Sequence, residues 1–167
     1  MAKGNPPNVL LTCGGESSEL RPAWRHLIAT GVQWEWREEK LFHSAALAAP
    51  VAPRRTSWLR RLIVRQLYAT QNSSASVRQV LADLVRRLGA SDWGLNLGAG
   101  DTRIHPRLLN LDLYEADNID IVSRGHHLPF RDNTLKLVVS QEVIEHMACP
   151  TLAVAEVYRV LQPGGYF

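Results

Sequence analysis

Cysteine is scarce in this chain, and the scarcity removes two classes of protein. Only Cys13 and Cys149 occur among 167 residues. They lie far apart with no CxxC pair, so neither a zinc site nor a disulfide framework is indicated, and a reduced, cytoplasmic setting is expected. Long apolar runs are missing as well: none approaches the roughly 20 residues needed to span a bilayer. The opening segment Met1-Ala2-Lys3-Gly4-Asn5-Pro6-Pro7 lacks the apolar core of a secretion signal. Neither export nor membrane association is expected on these grounds.

What is present divides unevenly. Residues 1–90 hold 13 Lys/Arg and 6 Asp/Glu, a net +7, whereas residues 91–167 hold 6 and 10, a net −4. A basic half can favour nucleic acid. The five tryptophans are scattered, however, and no nucleic-acid motif accompanies the charge. Solvated helix faces are the preferred reading, and nucleic acid is not the expected partner.

Near the start, the apolar run Asn8–Cys13 reads as a strand ended by Gly14-Gly15. Ser17-Ser18-Glu19 then offers a helix cap, with the helix running to about Ala29. Val32–Trp36 alternates apolar and polar, the period of a half-buried strand. Ala45 to Pro53 reads as a linker, because Pro50 and Pro53 oppose a continuous helix. From Ser57 the positions of Trp58, Leu59, Leu62, Ile63 and Leu67 give an amphipathic helix. Another is expected from Ser76 to Leu88, with Val77, Val80, Leu81, Leu84, Val85 and Leu88 on its core face and Gly89 as its stop. The division is therefore 1–56, whose structure the sequence leaves open; 57–90, helices packing on a sheet; and 91–167, the core.

From residue 93 the pattern changes. Strands at Trp93–Leu97, Leu108–Asp112, Ile119–Val122 and Leu135–Ser140 alternate with helices at Gln141–Met147 and Thr151–Leu161. Pro163-Gly164-Gly165 is read as a turn into a further strand at Tyr166-Phe167. Alternation of this kind implies an α/β fold with a doubly wound parallel sheet, here preceded by a mainly helical region. Such a sheet binds its ligands beyond the carboxyl ends of its strands.

Two of those ends carry the chemistry. Leu95-Asn96-Leu97 runs into Gly98-Ala99-Gly100, and Leu109-Asn110-Leu111 ends on Asp112, twelve residues after Gly100. Glycine allows close backbone approach and positive φ, and an acid at the next strand tip can accept both hydroxyls of a ribose. A dinucleotide loop would need a third glycine opening a helix that receives the pyrophosphate. Arg103 stands at that position, and His105-Pro106 leaves no long helix. The pair thus points to a nucleoside ligand without pyrophosphate.

Three later blocks accompany the pair: His127-Leu128-Pro129-Phe130-Arg131-Asp132-Asn133, Val138–His146, and Tyr158-Arg159-Val160-Leu161-Gln162-Pro163-Gly164-Gly165. In this order and spacing the chain, from about residue 93 onward, resembles the class I S-adenosylmethionine-dependent methyltransferases of the type 11 family. The resemblance implies a Rossmann-like fold, S-adenosylmethionine as cofactor and a small-molecule O, N or C acceptor. It implies cofactor contacts at Gly98, Ala99, Gly100, Asp112, Leu113, Ser140 and Gln141. It also implies two further strands beyond the fifth, which would otherwise be an open edge for a homo-oligomer or partner to cover. Where family members carry an Asp that accepts from the adenine amino group, this chain has Arg124, which cannot accept. Backbone near Gly125 and His126 is left to read the base.

Glu142, Glu145 and His146 stand at i, i+3 and i+4, so a helix would present them on one face. Three roles stay open for them: a general base at His146 assisted by Glu142, a divalent-cation site like that of some quinone-biosynthesis O-methyltransferases, or a purely structural helix anchor. Three functions stay open for the whole chain: the small-molecule methyltransferase, a homologue that binds without turnover, and a nucleic-acid methyltransferase.

Overall fold

The computed structural model describes residues 23–29, 34–37, 39–43 and 74–167. The expected strand at Asn8–Cys13, the linker at 45–53 and the helix from Ser57 lie outside them. Seven strands form one sheet in the order β1-β2-β5-β4-β3-β6-β7. They are β1 (Trp34–Arg37), β2 (Lys40–His43), β3 (Gly94–Leu97), β4 (Leu108–Asp112), β5 (Ile121–Val122), β6 (Leu135–Ser140) and β7 (Leu161–Tyr166). Among the described strands only the β1–β2 hairpin is antiparallel. Every other neighbouring pair runs parallel.

Helices cover both faces, and the strand period decides which. Leu95, Leu97, Leu109, Leu111 and Val138 point to one side, where Val157 and Val160 of α2 (Pro150–Val160) join them in the main core. Leu108, Leu137 and Val139 point to the other. There they meet Leu81, Leu84 and Val85 of α1 (Ala75–Arg86) and Leu88 just beyond it. The Ser74 hydroxyl caps α1 by accepting from the Val77 amide at 3.2 Å. Val80, expected on the core face, is instead 57% exposed. No residue of α1 is fully buried, so this helix covers the sheet loosely.

The N-terminal region adds strands to the sheet as well as a helical turn. Residues Ala23–Leu27 form a short 3₁₀ helix within the expected 17–29 helix. It ends there because Ile28 pairs with Phe130 and the Ala29 amide donates to the Pro129 carbonyl. Trp24 buries itself beside Trp36, with ring centroids 5.0 Å apart. The expected strand at 32–36 appears as β1, and its hairpin covers the outer edge of β5.

Pro163-Gly164-Gly165 departs from the expected turn. The chain passes from α2 straight into β7, whose Leu161 pairs with Leu135 and whose Tyr166 pairs with Leu137. Four residues, 162–165, stand there opposite Lys136 alone, which makes a bulge with Gly164 at φ +72°. Lys136 fills the bulge by donating to the Gly164 carbonyl at 2.9 Å.

Arg159 explains why the Leu-Pro-Phe block and the Tyr-Arg-Val-Leu block occur together. Its guanidinium donates to the carbonyls of Leu128 and Phe130 and to the carboxylates of Asp132 and Glu156. Glu156 in turn accepts from the Leu128 amide at 3.0 Å. Burial alone would raise the Glu156 pKa, but the hydrogen bonds from Arg159 and Leu128 outweigh it and hold the carboxyl below its usual range.

Candidate active site

The carboxyl ends of β3, β4, β5 and β6 surround a cavity of about 590 Å³, within the range of small-molecule sites. Gly98 and Gly100 form its base with φ of +73° and +52°. The Gly98 and Ala99 amides donate to the Leu111 carbonyl at 2.8 and 3.1 Å, so the turn folds over the end of β4. A Cβ on Gly98 would lie 2.6 Å from Val143 Cγ1, whereas one on Gly100 would meet nothing within 4 Å. Glycine is therefore required at 98 by packing. At 100 it keeps the cavity open.

Asp112 ties the two strand ends together. Its Oδ2 accepts from the Gly100 amide at 2.9 Å and its Oδ1 from the Tyr114 amide at 3.0 Å. Each oxygen retains a lone pair, and the half-buried carboxylate stays at the cavity wall beside Leu113.

The crossover between β3 and β4 contains no helix, and a polar network does the work of one. Asn96 donates to the Thr102 carbonyl and to Asn110 Oδ1, both at 3.1 Å. Asn110, fully buried, donates to the carbonyls of Thr102 at 3.1 Å and Asn118 at 2.9 Å. Asn118 closes the ring by donating to the Gly100 carbonyl at 2.9 Å. Arg103 joins through the Asn118 carbonyl and Asp120, whose carboxylate also receives the Asn110 amide at 2.7 Å. Sequence reading passed over these asparagines. Their signal was two polar residues at matching positions of otherwise apolar strands, Asn96 and Asn110, which pair directly.

The opposite wall runs through residues 123–127. The Ser123 hydroxyl donates to the His127 carbonyl at 3.0 Å, turning the chain so that Arg124, Gly125 and His126 border the cavity. A Cβ on Gly125 would stand 3.2 Å from Leu97 and 3.1 Å from the Met147 sulfur. His126 lies 4.6 Å from His127, which stacks at 5.1 Å and 12° on His43, the last residue of β2. Burial, then His127 and the Arg124 charge, lower the His126 pKa. His43 is lowered by burial and by the same two histidines. Its Nδ1 has no hydrogen-bond partner among the described residues.

The third wall follows β6. Ser140 Oγ is buried without a partner among the described residues, and Gln141, Glu142 and His146 border the cavity. The helix expected over Gln141–Met147 is absent: Glu142 takes φ +55°, and only Ile144–His146 coil, as a 3₁₀ turn. Val143 is held against Gly98, and Pro150 disfavours helical backbone at Cys149. Glu142, Glu145 and His146 therefore do not share a helix face. Among the described residues no group of three or more His, Cys, Asp or Glu side chains is placed to hold a metal ion.

Of the residues expected at the cofactor, Gly98, Gly100, Asp112, Leu113, Gly125, His126 and Gln141 all border this one cavity. Ala99 instead turns its side chain to the other face of the turn, and Ser140 lies beneath Gln141 in β6. The donor set suits S-adenosylmethionine: a carboxylate for ribose hydroxyls and an open glycine turn beside it. Among the described residues no helix is long and apolar enough to cross a membrane.

Known proteins share part of this chain's sequence and fold. A demethylmenaquinone methyltransferase of Chlamydia trachomatis serovar D is 33% identical over a stretch covering 50% of this chain and 45% of that protein. The chain thus spans about half the length of the curated relatives it matches. Among solved structures, YcgJ from Bacillus subtilis matches 53% of this chain and 48% of its own at 19% identity, with a TM-score of 0.44. A chain from a complex containing the Haloferax volcanii Trm112 methyltransferase activator matches 53% and 50% at 24% identity, with a TM-score of 0.41. Residues 95–167 match the family described as a methyltransferase domain, and over that stretch the chain is similar to methyltransferases.

Proposed function

We propose that the chain binds S-adenosylmethionine in the 590 Å³ cavity and directs its methyl group to a small-molecule O, N or C acceptor. The observation that carries this reading is the Asp112 carboxylate, fixed by two amides at the tip of β4, one of them from the glycine turn, at the wall of the same cavity. The cofactor supplies a methyl on a sulfonium: an acceptor lone pair forms the new bond, and the carbon–sulfur pair stays on sulfur. Asp112 accepts from the ribose hydroxyls. Gly98 and Gly100 let backbone approach the amino-acid end. Residues 124–126 read the adenine edge with backbone groups, since Arg124 has no acceptor to give. His146, exposed at the rim, takes the acceptor proton where there is one, with Glu142 beside the same cavity. Alignment of donor and acceptor supplies most of the acceleration such a transfer needs.

Calorimetry with S-adenosylhomocysteine tests the cofactor site. Asp112→Ala removes charge-assisted hydrogen bonds of about 1.5–3 kcal/mol, so its affinity should fall roughly 10- to 100-fold. Equal affinity in parent and variant would remove the assignment. Arg124 favours a second reading, a homologue that binds without turnover. Production of S-adenosylhomocysteine from bound cofactor over several turnovers excludes it, and tight binding with none establishes it.

A further inference from the structure

A second cavity, of about 830 Å³, lies between α1 and the turn after β3. From it we infer that the acceptor is an apolar molecule carrying an anionic group, seated in this cavity, an inference that rests on the proposed function. Three observations converge.

The first is position. Gly98 and Gln141 border both cavities, so one glycine and one glutamine side chain separate the cofactor space from its neighbour. The second is origin. Parallel strands are ordinarily joined by a crossover helix that covers the sheet. Between β3 and β4 the irregular segment 98–107 takes its place, so no crossover helix lies on the sheet face over Asn96. Leu81 and Val85 of α1 and Ile104 of the crossover remain only half-buried there, forming an apolar wall.

The third observation is charge. Arg78, Leu81, Ala82 and Val85 follow the i, i+3, i+4, i+7 stripe of α1, and Arg86 adds a second guanidinium one turn beyond Ala82. Arg86 also pairs with Asp83 on the solvent side. Arg78 has no ion-pair partner among the described residues, and none of the described residues bordering this cavity is acidic. Two cations at the mouth of an apolar space match a carboxylate, sulfate or phosphate on an apolar body. Asn96 marks the floor: its amide nitrogen is committed to Thr102 and Asn110, which leaves its oxygen as an acceptor for an acceptor hydroxyl or amine.

Naphthalene-2-carboxylate and its neutral amide serve as probes, titrated into the full chain saturated with S-adenosylhomocysteine. The carboxylate should bind about 5-fold more tightly, the worth of one partly exposed ion pair of about 1 kcal/mol. Arg78→Gln should abolish that preference. Ala82→Trp, which fills the cavity from α1, should abolish binding of both probes and leave S-adenosylhomocysteine affinity unchanged. Equal affinity for the two probes, insensitivity to Ala82→Trp, or displacement of S-adenosylhomocysteine by the probe would each overturn the inference. Failure of the parent chain to bind S-adenosylhomocysteine would refute the cofactor assignment instead, while probe binding to the unliganded chain still reads the cavity.

Discussion

Gly98→Ala is the substitution that most directly tests how the site is built. Two independent costs follow from the geometry. At φ +73° an alanine pays the left-handed penalty, about 1–2 kcal/mol. Its Cβ would also sit 2.6 Å from Val143 Cγ1 and 2.9 Å from Val143 Cβ, so the turn or the Val143 segment must shift, at about 1–3 kcal/mol for an overpacked contact. The sum, roughly 2–5 kcal/mol, is a large share of the 5–15 kcal/mol that holds a typical domain together. Urea denaturation followed by tryptophan fluorescence reads it, since Trp24 lies in the core and Trp34, Trp36 and Trp93 pack against it. Gly100→Ala serves as the control, with a positive φ but no neighbour to strike, and should lose only about 1–2 kcal/mol. Adding Val143→Ala to Gly98→Ala removes the two γ carbons but not the β carbon, so rescue should be partial, with a coupling of about 1 kcal/mol. A Gly98→Ala variant within about 0.5 kcal/mol of the parent, or no coupling to Val143, would refute the claim that close packing fixes this glycine.

Three further outcomes follow from other parts of the molecule. Asn110→Ala breaks a fully buried polar ring and should cost about 2 kcal/mol in the same denaturation assay, with weaker S-adenosylhomocysteine binding as the Gly100 turn loosens. Glu156→Gln removes the anionic partner of Arg159. Because the folded Glu156 carboxyl titrates low, its contribution is present above the unfolded carboxylate pKa and disappears as pH falls through the folded value. The parent should therefore lose more stability than the variant in melts below about pH 4.5. His43 and His126 are lowered, so the unfolded chain binds their protons first and stability declines as pH drops below about 6.5. His126→Gln should shallow that decline between pH 7 and 5 in thermal melts, and an unchanged slope would place the acid sensitivity elsewhere.

The parallel core was legible because its signals are local and periodic. Leu95 to Leu97 and Leu109 to Asp112 sit in strands buried on both faces, and such strands read as continuous apolar runs. The position of Asp112 at a strand end followed from the same pattern. What escaped was set by contacts between distant segments. Gln141 to Met147 carries a helical spacing of charges, yet Val143 packing on Gly98 forces Glu142 into the left-handed region. Pro163 to Gly165 has turn composition, yet β6 captures both ends and leaves the middle as a bulge. The histidine stack was beyond reach of pattern reading, since it joins His43 to His126 and His127 through the pairing of β2 with β5.

β4 stands fourth of seven strands, with three on either side. Its backbone is the part of the sheet farthest from any edge, so its amides exchange with solvent only when the whole domain opens. Asp112 is the last residue of that strand. Across the cavity, Glu142 to Met147 hang from two 3₁₀-type hydrogen bonds and a strained backbone. The crevice is thus a vice with one fixed jaw and one adjustable jaw. In the proposed cofactor site the ribose would meet the fixed jaw, and adaptation to the shape of a ligand would fall to the other.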